Sequence, residues 1–335
     1  MKVPSQLEVL DLRHFSARQL RGLLDEESRV WSARLRWDYR SSADLLLQYL
    51  DSRVLPGFVA LDRGRICGYV FCVYEGAKAV VGDVYASTAT SISQSAVEVE
   101  RLLLMHVLEL LQNSPNVERI ESQLLLHPAG EISAPFVKAG FTVHQRLFME
   151  CNLADGRFLP ETEAARALPE GLSMGGWSSA MFQQAGGVVH QAYAGHLDGE
   201  INDQYCSLDG ALRFLHNIVR FPGCGVFDVD ASSVILREGS DEMVAMLLCS
   251  RVREEVAHIT QICVLPEYRG RGLGQMLLTH CAAQLTRRRF DAITLTVTEG
   301  NTPAVALYER MGFSVRHKFD ALGWTAAKSE QEVTA

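Results

Sequence analysis

The sequence lacks any long apolar run, although 47% of its 335 residues are hydrophobic. No stretch approaches the ~18 consecutive apolar residues that a membrane-spanning helix requires. Residues 1–6 also lack the apolar core of a signal peptide. These absences argue against a membrane protein, and we expect a cytoplasmic protein with no membrane partner.

Paired cysteine motifs and excess positive charge are also absent. The eight cysteines include no C-x-x-C pair and mostly lie in apolar runs, so we interpret them as reduced core residues and predict neither disulfides nor a metal site. The formal net charge of −8 argues against a general nucleic-acid-binding protein. The basic run Arg287–Arg289 has two interpretations: helix C-terminal charges that face solvent, or a contact with a ligand phosphate.

A glycine-rich loop between a strand-like run and a helix-like run is the most informative segment. In chain order it contains Ile262, Cys263 and Val264, then Arg269, Gly270, Arg271, Gly272, Leu273, Gly274 and Gln275. Two well-known phosphate-binding patterns, G-x-x-x-x-G-K-[ST] and G-x-G-x-x-G, do not match it. Alternate glycines let the backbone approach an anion, and the following helix offers unpaired N–H groups and its positive dipole end. We therefore predict a pyrophosphate cradle, with a plain glycine-rich turn as the alternative.

A second ordered motif follows the cradle. A β-type run over residues 293–298 leads into a loop, a short helix and a glycine stop. The motif residues are Asn301, Ala304, Tyr308, Gly312 and Phe313. Together the two motifs resemble the GNAT superfamily of acetyl-CoA-dependent N-acyltransferases, whose patterns are Q/R-x-x-G-x-G/A and N-x-x-A-x-x-x-Y-x-x-x-G-F. The resemblance covers residues 225–320 and implies an acetyltransferase that uses acetyl-CoA (CoA) as its cofactor. It also implies that Asn301, Ala304 and Tyr308 contribute to binding that cofactor.

An internal repeat indicates two copies of one α+β unit. The pair Gly140–Phe141 precedes Gly312–Phe313 by 172 residues, and Leu102–His106 precedes Met276–His280 by 174. Such a spacing is one domain length. With the resemblance, it implies a tandem GNAT protein of α+β, three-layer fold, in which each unit is a mixed, mostly antiparallel sheet flanked by helices. The predicted boundaries are 1–154 for the first unit, 155–169 for a polar linker and 170–335 for the second unit.

The two copies differ in their chemistry. Ser95, Glu98 and Glu100 take the places of the arginine and glycines of the cradle, which puts carboxylates where an anion would bind. Phe136 takes the place of the motif tyrosine and has no hydroxyl proton to give. We predict that the first unit is degenerate and has lost its phosphate grip, while the Ser/Thr-rich stretch 87–95 leaves retained cofactor binding open as the alternative.

The resemblance implies roles for several residues of the second unit. Backbone groups of Ile262–Val264 would pair with the pantetheine arm and polarise the acetyl carbonyl. Tyr308 would give a proton to the departing CoA thiolate, with a helix-face aromatic of the core as the alternative. His258 is the candidate general base because histidine titrates near neutral pH; the alternative is a structural polar residue, and Glu255 is the fallback base. Cys263 as an acyl-carrying nucleophile requires a lowered thiol pKa that nothing nearby promises, so direct transfer is favoured.

The acceptor site is expected at a loop between the first helix of the second unit and its strands. The candidate residues of this loop are His196, Asp198, Glu200, Asp203 and Tyr205. GNAT relatives use the corresponding loop to recognise acceptors, and carboxylates attract a cationic amine. Solvation of an exposed loop is the alternative interpretation.

The predicted activity is direct transfer of an acetyl group from acetyl-CoA to a primary amine of a small molecule or peptide. The run Arg271–Leu277 also resembles that of mycothiol synthases, tandem GNAT enzymes that acetylate an amino-sugar thiol, although His258 stands where a glutamate is expected. A catalytically silent acyl-CoA-binding sensor is the third hypothesis, and retention of Tyr308 together with the cradle favours an enzyme. No nucleic-acid partner is expected, and the protein is predicted to be a monomer or a homodimer.

Overall fold

The computed structural model describes residues 7–89, 92–154, 158, 168–220 and 222–327. The strands, in chain order, are β1 (Leu7–Asp11), β2 (Gly57–Asp62), β3 (Arg65–Glu75), β4 (Lys78–Ala86), β5 (Arg119–Gln123), β6 (Thr142–Asn152), β7 (Leu172–Gly176), β8 (Val226–Phe227), β9 (Ser233–Arg237), β10 (Glu242–Arg253), β11 (Val256–Val264), β12 (Ala292–Thr298) and β13 (Ser314–Thr325). The helices are α1 (Ala17–Leu35), α2 (Arg40–Asp51), α3 (Ala96–Gln112), α4 (Ala134–Lys138), α5 (Phe182–Ala192), α6 (Asp198–Ile201), α7 (Leu208–Arg220), α8 (Leu273–Arg287) and α9 (Thr302–Arg310). Within these described ranges no helix is long and apolar enough to cross a membrane. Most of the predicted linker, residues 155–169, lies outside the described residues.

The chain forms two compact units, each built from more than one segment. Unit 1 takes its described residues from 1–30, 42–145 and 319–335, and unit 2 takes its residues from 31–41 and 146–318. This division differs from the predicted contiguous boundaries at 154 and 170. The reason is that β6, which precedes the linker, pairs with β12 over Arg146–Asn152, whereas the end of β13 pairs with β5. A strand belongs to the sheet that takes its backbone hydrogen bonds.

The sheet of unit 1 has the strand order β1-β2-β3-β4-β5-β13. Its neighbouring strands are antiparallel except β4 and β5, which run parallel where Lys78–Val81 faces Arg119–Ser122. Helix α3 begins with a capping box, in which the Ser95 hydroxyl accepts the Glu98 N–H and the Glu98 carboxylate accepts the Ser95 N–H. The buried side chains of α3 recur at the three-to-four-residue spacing of an amphipathic helix, and they are Val99, Leu103, Leu104, Val107, Leu108 and Leu111.

The sheet of unit 2 has the strand order β6-β12-β11-β10-β9-β7, with the short strand β8 paired to β10. Only β11 and β12 are parallel among these described pairs. Strand β10 is buried almost throughout, as expected for a central strand covered on both faces. Helix α8 contributes to the core on one side of this sheet through Leu273, Leu277, Leu278, Cys281 and Leu285.

The predicted repeat is visible in the backbone of both units. After α4, the Phe141 N–H donates to the Phe136 carbonyl at 3.0 Å, and after α9 the Phe313 N–H donates to the Tyr308 carbonyl, also at 3.0 Å. The glycine before each phenylalanine has a positive φ, +83° in one copy and +90° in the other, which is a conformation that glycine adopts at helix ends. Mixed sheets flanked by helices confirm the predicted α+β class.

Candidate active site

Strands β11 and β12 of unit 2 form a fork. They pair in parallel from Val256 opposite Ala292 to Ile259 opposite Leu295, and the described residues show no β11–β12 pairing beyond that point. The next residue, Thr260, is an extra residue in the register of β11 against β10. A bulge of this kind bends a strand away from its neighbour. The two strands therefore diverge, and one edge of β11 is left without a partner strand.

The unpaired edge of β11 carries the backbone groups of Ile262 and Val264. The Leu265 N–H donates to the Val244 carbonyl at 2.9 Å, so the peptide groups of Leu265 face β10. Because the peptide groups of successive residues in a strand face opposite neighbours, those of Cys263 also face β10, and those of Ile262 and Val264 face the open side of the fork. The Val264 carbonyl there accepts Nε of Arg269 at 3.3 Å, so the open edge consists of the Ile262 peptide groups and the Val264 N–H. An extended chain inserted there can add itself as a strand.

The glycine-rich loop after β11 forms an amide nest, by which we mean the backbone N–H groups of residues 270–275. Gly270 has φ +76° and Gly272 has φ +80°, and alternation of left- and right-handed conformations points successive N–H groups into one concavity. Among the described residues none of these six N–H groups has a hydrogen-bond acceptor; the next one, of Met276, donates to the Gly272 carbonyl at 3.1 Å. The nest therefore offers an anion site at the positive end of α8.

The two arginines of the loop are held by neighbouring protein groups. The guanidinium of Arg269 donates to the Ala192 carbonyl at 2.5 Å, and that of Arg271 lies 5.0 Å from the centre of the Tyr268 ring, a cation–π distance. Their positive charges thus stay beside the nest in fixed directions.

Helix α9 starts where β12 ends, on the other arm of the fork. Asn301 is its N-cap, because its side-chain oxygen accepts the Ala304 N–H at 3.4 Å and its carbonyl accepts the same N–H at 3.1 Å. These two residues, predicted as cofactor-binding, thus have a structural contact with each other. A Cβ on Gly274 would lie 3.5 Å from Leu307, so the glycine allows α8 and α9 to approach closely.

Tyr308 of α9 has the properties of a proton donor. Its side chain is buried, and no hydrogen-bond partner of its hydroxyl is found in the described part of the chain. Burial raises the pKa of Tyr308, and the negative charge of Asp198 raises it further. The hydroxyl therefore keeps its proton at neutral pH and has no other acceptor for it.

Three of the five predicted acceptor-loop residues lie together near the fork. Asp198 is buried, and its Oδ1 accepts the hydroxyl of Thr298, the last residue of β12, at 2.5 Å. His196 Nδ1 lies 3.8 Å from Asp198 Oδ2. The Tyr205 ring stacks on the Tyr193 ring with centroids 4.1 Å apart. Burial raises the pKa of the Tyr193 hydroxyl, and the electrostatic effects of Tyr205 and then of Asp198 raise it further.

The other two acceptor-loop candidates are placed differently. Glu200 is exposed on α6, and Asp203 begins the short helical turn that ends at Tyr205. Asp198 is the carboxylate whose charge acts on the hydroxyls of Tyr193, Tyr205 and Tyr308. The structure thus groups Asp198, rather than these two acids, with the candidate proton donor.

His258, the predicted general base, is a core residue of unit 2. Its ring centre lies 5.0 Å from that of Trp37 and 5.8 Å from that of Phe148. Its Nδ1 lies 2.9 Å from the hydroxyl oxygen of Thr294, which itself donates to a backbone carbonyl, so Nδ1 is the donor. Burial, assisted by the positive charge of Arg146, lowers the pKa of His258 to about 3. A residue of such weak basicity does not suit a general base near neutral pH, so the structural alternative is favoured.

Glu255, the fallback base, lies at the wrong end of β11. Its carboxylate is paired with Arg253 at 3.0 Å in the β10–β11 turn, and its carbonyl accepts the Asp291 N–H at 2.8 Å before β12 begins. From there to Ile262 the strand spans seven residues, or about 23 Å at ~3.3 Å per residue. Glu255 is therefore at the closed end of the fork and cannot serve its open end.

Cys263 does not have the properties of a nucleophile. Its side chain is buried, and burial raises the pKa of the thiol to about 12 despite the opposing charge of Arg269. The thiol is therefore protonated at neutral pH, and only a thiolate attacks a thioester readily. This environment agrees with the expectation of direct transfer.

The sequence analysis missed four polar residues near the fork: Arg146, Tyr193, Gln261 and Thr298. The Tyr193 hydroxyl donates to Gln261 Oε1 at 3.1 Å, which ties α5 to β11 just after the bulge. Arg146 is buried on β6 opposite Thr298 of β12, and its charge opposes the rise that burial causes in the pKa of Tyr308. Gln261 and Thr298 are polar residues in apolar runs, which is a signal the sequence offers. Arg146 gives no such signal, because it precedes the predicted linker and falls within the predicted first unit.

The three arginines of the basic run, Arg287–Arg289, are exposed, as the solvent-facing interpretation expects, and Arg288 is also paired with a carboxylate. Its two terminal nitrogens donate to the carboxylate oxygens of Asp228 at 2.7 and 2.6 Å. Burial raises the pKa of Asp228, but the hydrogen bonds from Arg288 outweigh it and hold that pKa below its usual value. Such a bidentate pair fixes the end of α8 to the segment before β9.

In unit 1 the corresponding strand and helix ends are occupied by carboxylates of the protein itself. Glu100 Oε1 accepts the Ala86 N–H at the end of β4 at 3.0 Å. Glu26 accepts the Ser87 hydroxyl at 2.8 Å and the Thr88 N–H at 3.1 Å. An anion approaching these backbone groups would meet negative charge.

Residues 206–313 match the family model described as the acetyltransferase (GNAT) family. A ribosomal-protein bS18-alanine N-acetyltransferase of Salmonella typhimurium (strain LT2) is 35% identical over 79 residues, which make up 24% of this chain and 53% of that protein. A mycothiol acetyltransferase of Corynebacterium aurimucosum is 47% identical over 49 residues, 15% of this chain and 16% of that protein. The chain thus spans about half the length, or less, of these two curated relatives.

Solved structures resemble the chain over nearly its whole length. A GCN5-related N-acetyltransferase from Sphaerobacter thermophilus has a TM-score of 0.66 and 16% identity, with 97% of both chains covered. A tandem GNAT protein from the clavulanic acid biosynthesis pathway has a TM-score of 0.60 and 15% identity, with 97% of this chain and 100% of that chain covered. At these identities the likeness shows the fold alone, and the predicted tandem GNAT fold is confirmed.

Proposed function

We propose that this tandem GNAT chain is an acetyl-CoA-dependent N-acetyltransferase whose unit 2 transfers an acetyl group to a primary amine. The observation that carries the proposal is the continuous segment from Ile262 to Gln275. Among the described residues it offers a strand edge without a partner strand and, after five intervening residues, six N–H groups without an acceptor at the start of α8. A thioester carrier with an extended amide-containing arm and a pyrophosphate matches these two features in the same order.

The residues present fit CoA. The peptide groups of Ile262 and the N–H of Val264 would hold the pantetheine arm, and the amide nest of residues 270–275 would hold the pyrophosphate. A Cβ at Gly270 or Gly272 would meet no atom within 4 Å, so the concavity is open in front of the backbone. Acetyl-CoA supplies the activated acyl group as a thioester. The role of the protein is to orient that thioester, to exclude water and to manage protons.

Tyr308 is proposed to protonate the departing sulfur. Its raised pKa keeps the hydroxyl protonated, and because none of the described residues accepts its proton, the hydroxyl can donate to the sulfur. Because the Cys263 thiol is also held in its protonated form, the acceptor nitrogen is proposed to attack the thioester directly. In that reaction the C–N bond forms, the C–S bond breaks, the nitrogen loses a proton and the sulfur gains one.

The acceptor is proposed to enter beside the loop that carries His196 and Asp198. The buried carboxylate of Asp198 favours a cationic amine. The similarity to a bS18-alanine N-acetyltransferase makes a peptide amine one acceptor to test. The similarity to a mycothiol acetyltransferase makes the amine of an amino-sugar thiol another.

Unit 1 is proposed to bind no CoA. Glu26 and Glu100 already occupy backbone N–H groups at the end of β4, and the capping box of Ser95 and Glu98 satisfies the start of α3. Calorimetric titration with CoA should therefore give one site per chain, and two equivalent sites would contradict this division of labour.

The direct test is incubation of the full chain with acetyl-CoA and a panel of amines that includes alanine peptides and amino sugars. Mass spectrometry of the acetylated amine is preferable to a thiol reagent, because Cys206 and Cys224 are exposed and would react with it. Acetylation of at least one amine above the no-enzyme background supports the proposal. Tight CoA binding without acetylation of any amine would favour the acyl-CoA sensor instead.

A further inference from the structure

The acceptor amine must lose a proton before it attacks, and the fold suggests where that proton goes. Resting on the proposed function, we infer that Asp198 takes the proton from the acceptor ammonium and that His196 passes it to solvent. The sequence offered His258 and Glu255 for this step. The first is packed between aromatic rings in the core and the second lies at the closed end of the fork, so neither reaches the acceptor.

Asp198 is placed to act at the open end of the fork. It is 8% exposed, and its Oδ1 accepts the Thr298 hydroxyl from the arm of the fork formed by β12. For Oδ2 the structure shows, in its described part, no hydrogen bond, and the nearest ionisable partner is His196 Nδ1 at 3.8 Å. One carboxylate oxygen is therefore anchored and the other is available to an incoming ammonium.

His196 sits between two groups that both donate. The Asp198 backbone N–H donates to His196 Nδ1 at 3.1 Å, and Asn301 Nδ2 lies 3.3 Å from His196 Nε2. A neutral imidazole has only one nitrogen that can accept. The Asn301 amide is oriented by the Ala304 N–H, which donates to its side-chain oxygen. Each tautomer of His196 thus satisfies one neighbour and opposes the other.

The competition between these two donors for one accepting nitrogen suits a proton relay. Neither tautomer has the advantage of two satisfied nitrogens, so the cost of moving the ring proton from one nitrogen to the other is small compared with that in a fully satisfied histidine. The carboxylate of Asp198 stabilises a proton on the nearer nitrogen, Nδ1. The His196 side chain is 25% exposed, so a proton released from the ring has a route to solvent.

The charges around this pair are defined by four elements. Ionisable side chains that interact electrostatically in this cluster include those of Tyr193 at the end of α5, Tyr205 before α7, Tyr308 on α9 and Arg146 on β6. Burial holds the three tyrosines in their neutral form near neutral pH.

The proposed steps balance in protons and electrons. The acceptor R–NH3+ gives one proton to Asp198 Oδ2, which leaves R–NH2 and a neutral carboxyl group. Asp198 gives that proton to Nδ1 of His196 in its Nε2–H tautomer, and the ring releases the Nε2 proton to solvent, so both side chains regain their starting charge. Proton exchange with solvent then returns the ring from the Nδ1–H to the Nε2–H tautomer. The free amine then forms the C–N bond as the C–S bond breaks. Tyr308 protonates the departing sulfur. The nitrogen loses its second proton to solvent, and Tyr308 recovers a proton from solvent.

The test uses the full-length protein with acetyl-CoA and two acceptors of similar shape. Ethylamine is almost wholly protonated at about pH 8, whereas 2,2,2-trifluoroethylamine is almost wholly neutral there. Asp198→Asn keeps an oxygen that can accept the Thr298 hydroxyl but removes the negative charge. His196→Gln removes the ring that would relay the proton. Asp209→Asn removes an exposed carboxylate in the first turn of α7 and is the matched control.

We expect Asp198→Asn to lower kcat for ethylamine about 100-fold but to change kcat for trifluoroethylamine less than about threefold, because a neutral amine has no proton to lose before attack. His196→Gln should show the same pattern with a loss of about tenfold. Asp209→Asn should leave both rates unchanged. An equal loss of kcat with both amines would overturn the relay. A rise in KM for ethylamine with kcat unchanged would also overturn it, since that result would mean that Asp198 only binds the acceptor.

A second readout does not depend on activity. Nitrogen-15 NMR of the His196 ring in the full chain should show signals averaged between the two neutral tautomers, shifted toward the Nε2–H form in Asp198→Asn. A single fixed tautomer in the wild-type chain would contradict the relay. Absence of acetylation of any amine by the wild-type chain, with the averaged signals present, would count against the proposed function and not against the tautomer exchange.

Discussion

Replacement of Gly272 by aspartate tests whether the amide nest holds an anion. Gly272 has φ +80°, begins α8, and would carry a Cβ with no atom within 4 Å. Aspartate is among the side chains that adopt a positive φ most readily, so the variant is expected to fold. As an N-cap residue it would direct its carboxylate at the free N–H groups of the first helical turn. The pyrophosphate is proposed to lie at the same place, so the two anions would compete and repel.

Coulomb's law gives the size of the effect. Two unit charges 4 Å apart interact by about 4 kcal/mol at an effective dielectric constant of about 20. Solvent and salt reduce this value, and a loss of about 3 kcal/mol corresponds to CoA binding weakened roughly 100-fold. Gly272→Ala adds the strain of a positive φ, about 1 kcal/mol, but no charge, and should weaken binding by less than about tenfold. The deficit of the aspartate variant should also shrink as ionic strength rises.

The assay is calorimetric titration of CoA into the wild-type chain and three variants, with thermal unfolding as a check on folding. The third variant, Glu98→Gly, breaks the capping box of α3 in unit 1. It should cost about 1 kcal/mol of stability and leave the CoA dissociation constant unchanged. An unchanged dissociation constant in Gly272→Asp, or equal losses in Gly272→Asp and Glu98→Gly, would refute the assignment of the anion site to unit 2.

Three further outcomes are expected. Tyr308→Phe should lower kcat about 100-fold without changing CoA affinity, because it removes the proposed proton donor; an unchanged kcat would count against that role. Mass spectrometry after incubation with acetyl-CoA alone should find no acetyl group on Cys263, whose thiol has its pKa raised to about 12 by burial. Burial lowers the pKa of His258 from 6.5 to about 3, so the unfolded chain binds the additional proton between these values and stability should fall as pH falls through that window. The free energy of unfolding, measured by urea denaturation at a series of pH values, should depend less on pH between these values in His258→Phe than in the wild-type chain. The pH dependence of kcat near neutrality should be unchanged.

The parts of the site that were predictable from the sequence depend on local backbone requirements. A glycine at positive φ, a strand before it and a helix after it are properties of adjacent residues, which is why the nest from Gly270 to Gln275 could be placed. The repeat around Phe136 and Tyr308 was predictable for the same reason, since a short helix and its glycine stop are encoded within about ten residues.

The structure disfavours His258 and Glu255 as the general base because basicity is not a local property. His258 has a suitable residue type and a suitable strand, but Trp37 and Phe148 surround it, and burial removes the basicity on which the prediction relied. Glu255 was close to His258 in number, yet a strand carries neighbours in sequence steadily away from one another in space. The predicted boundary at residue 154 differs from the observed division because hydrogen bonding between strands is set by partners far away in the chain.

The sequence by itself determined the tandem organisation, the glycine-rich loop before α8 and the motif tyrosine, because each depends on the spacing of neighbouring residues and on the conformations they allow. Only the tertiary structure decided which side chains meet at the open end of the fork. Asp198 reaches Thr298 across 100 positions, and Arg146 enters unit 2 on a strand that precedes the predicted linker. Burial and electrostatic proximity arise when distant segments pack together, and these two quantities set the acid–base properties of the site.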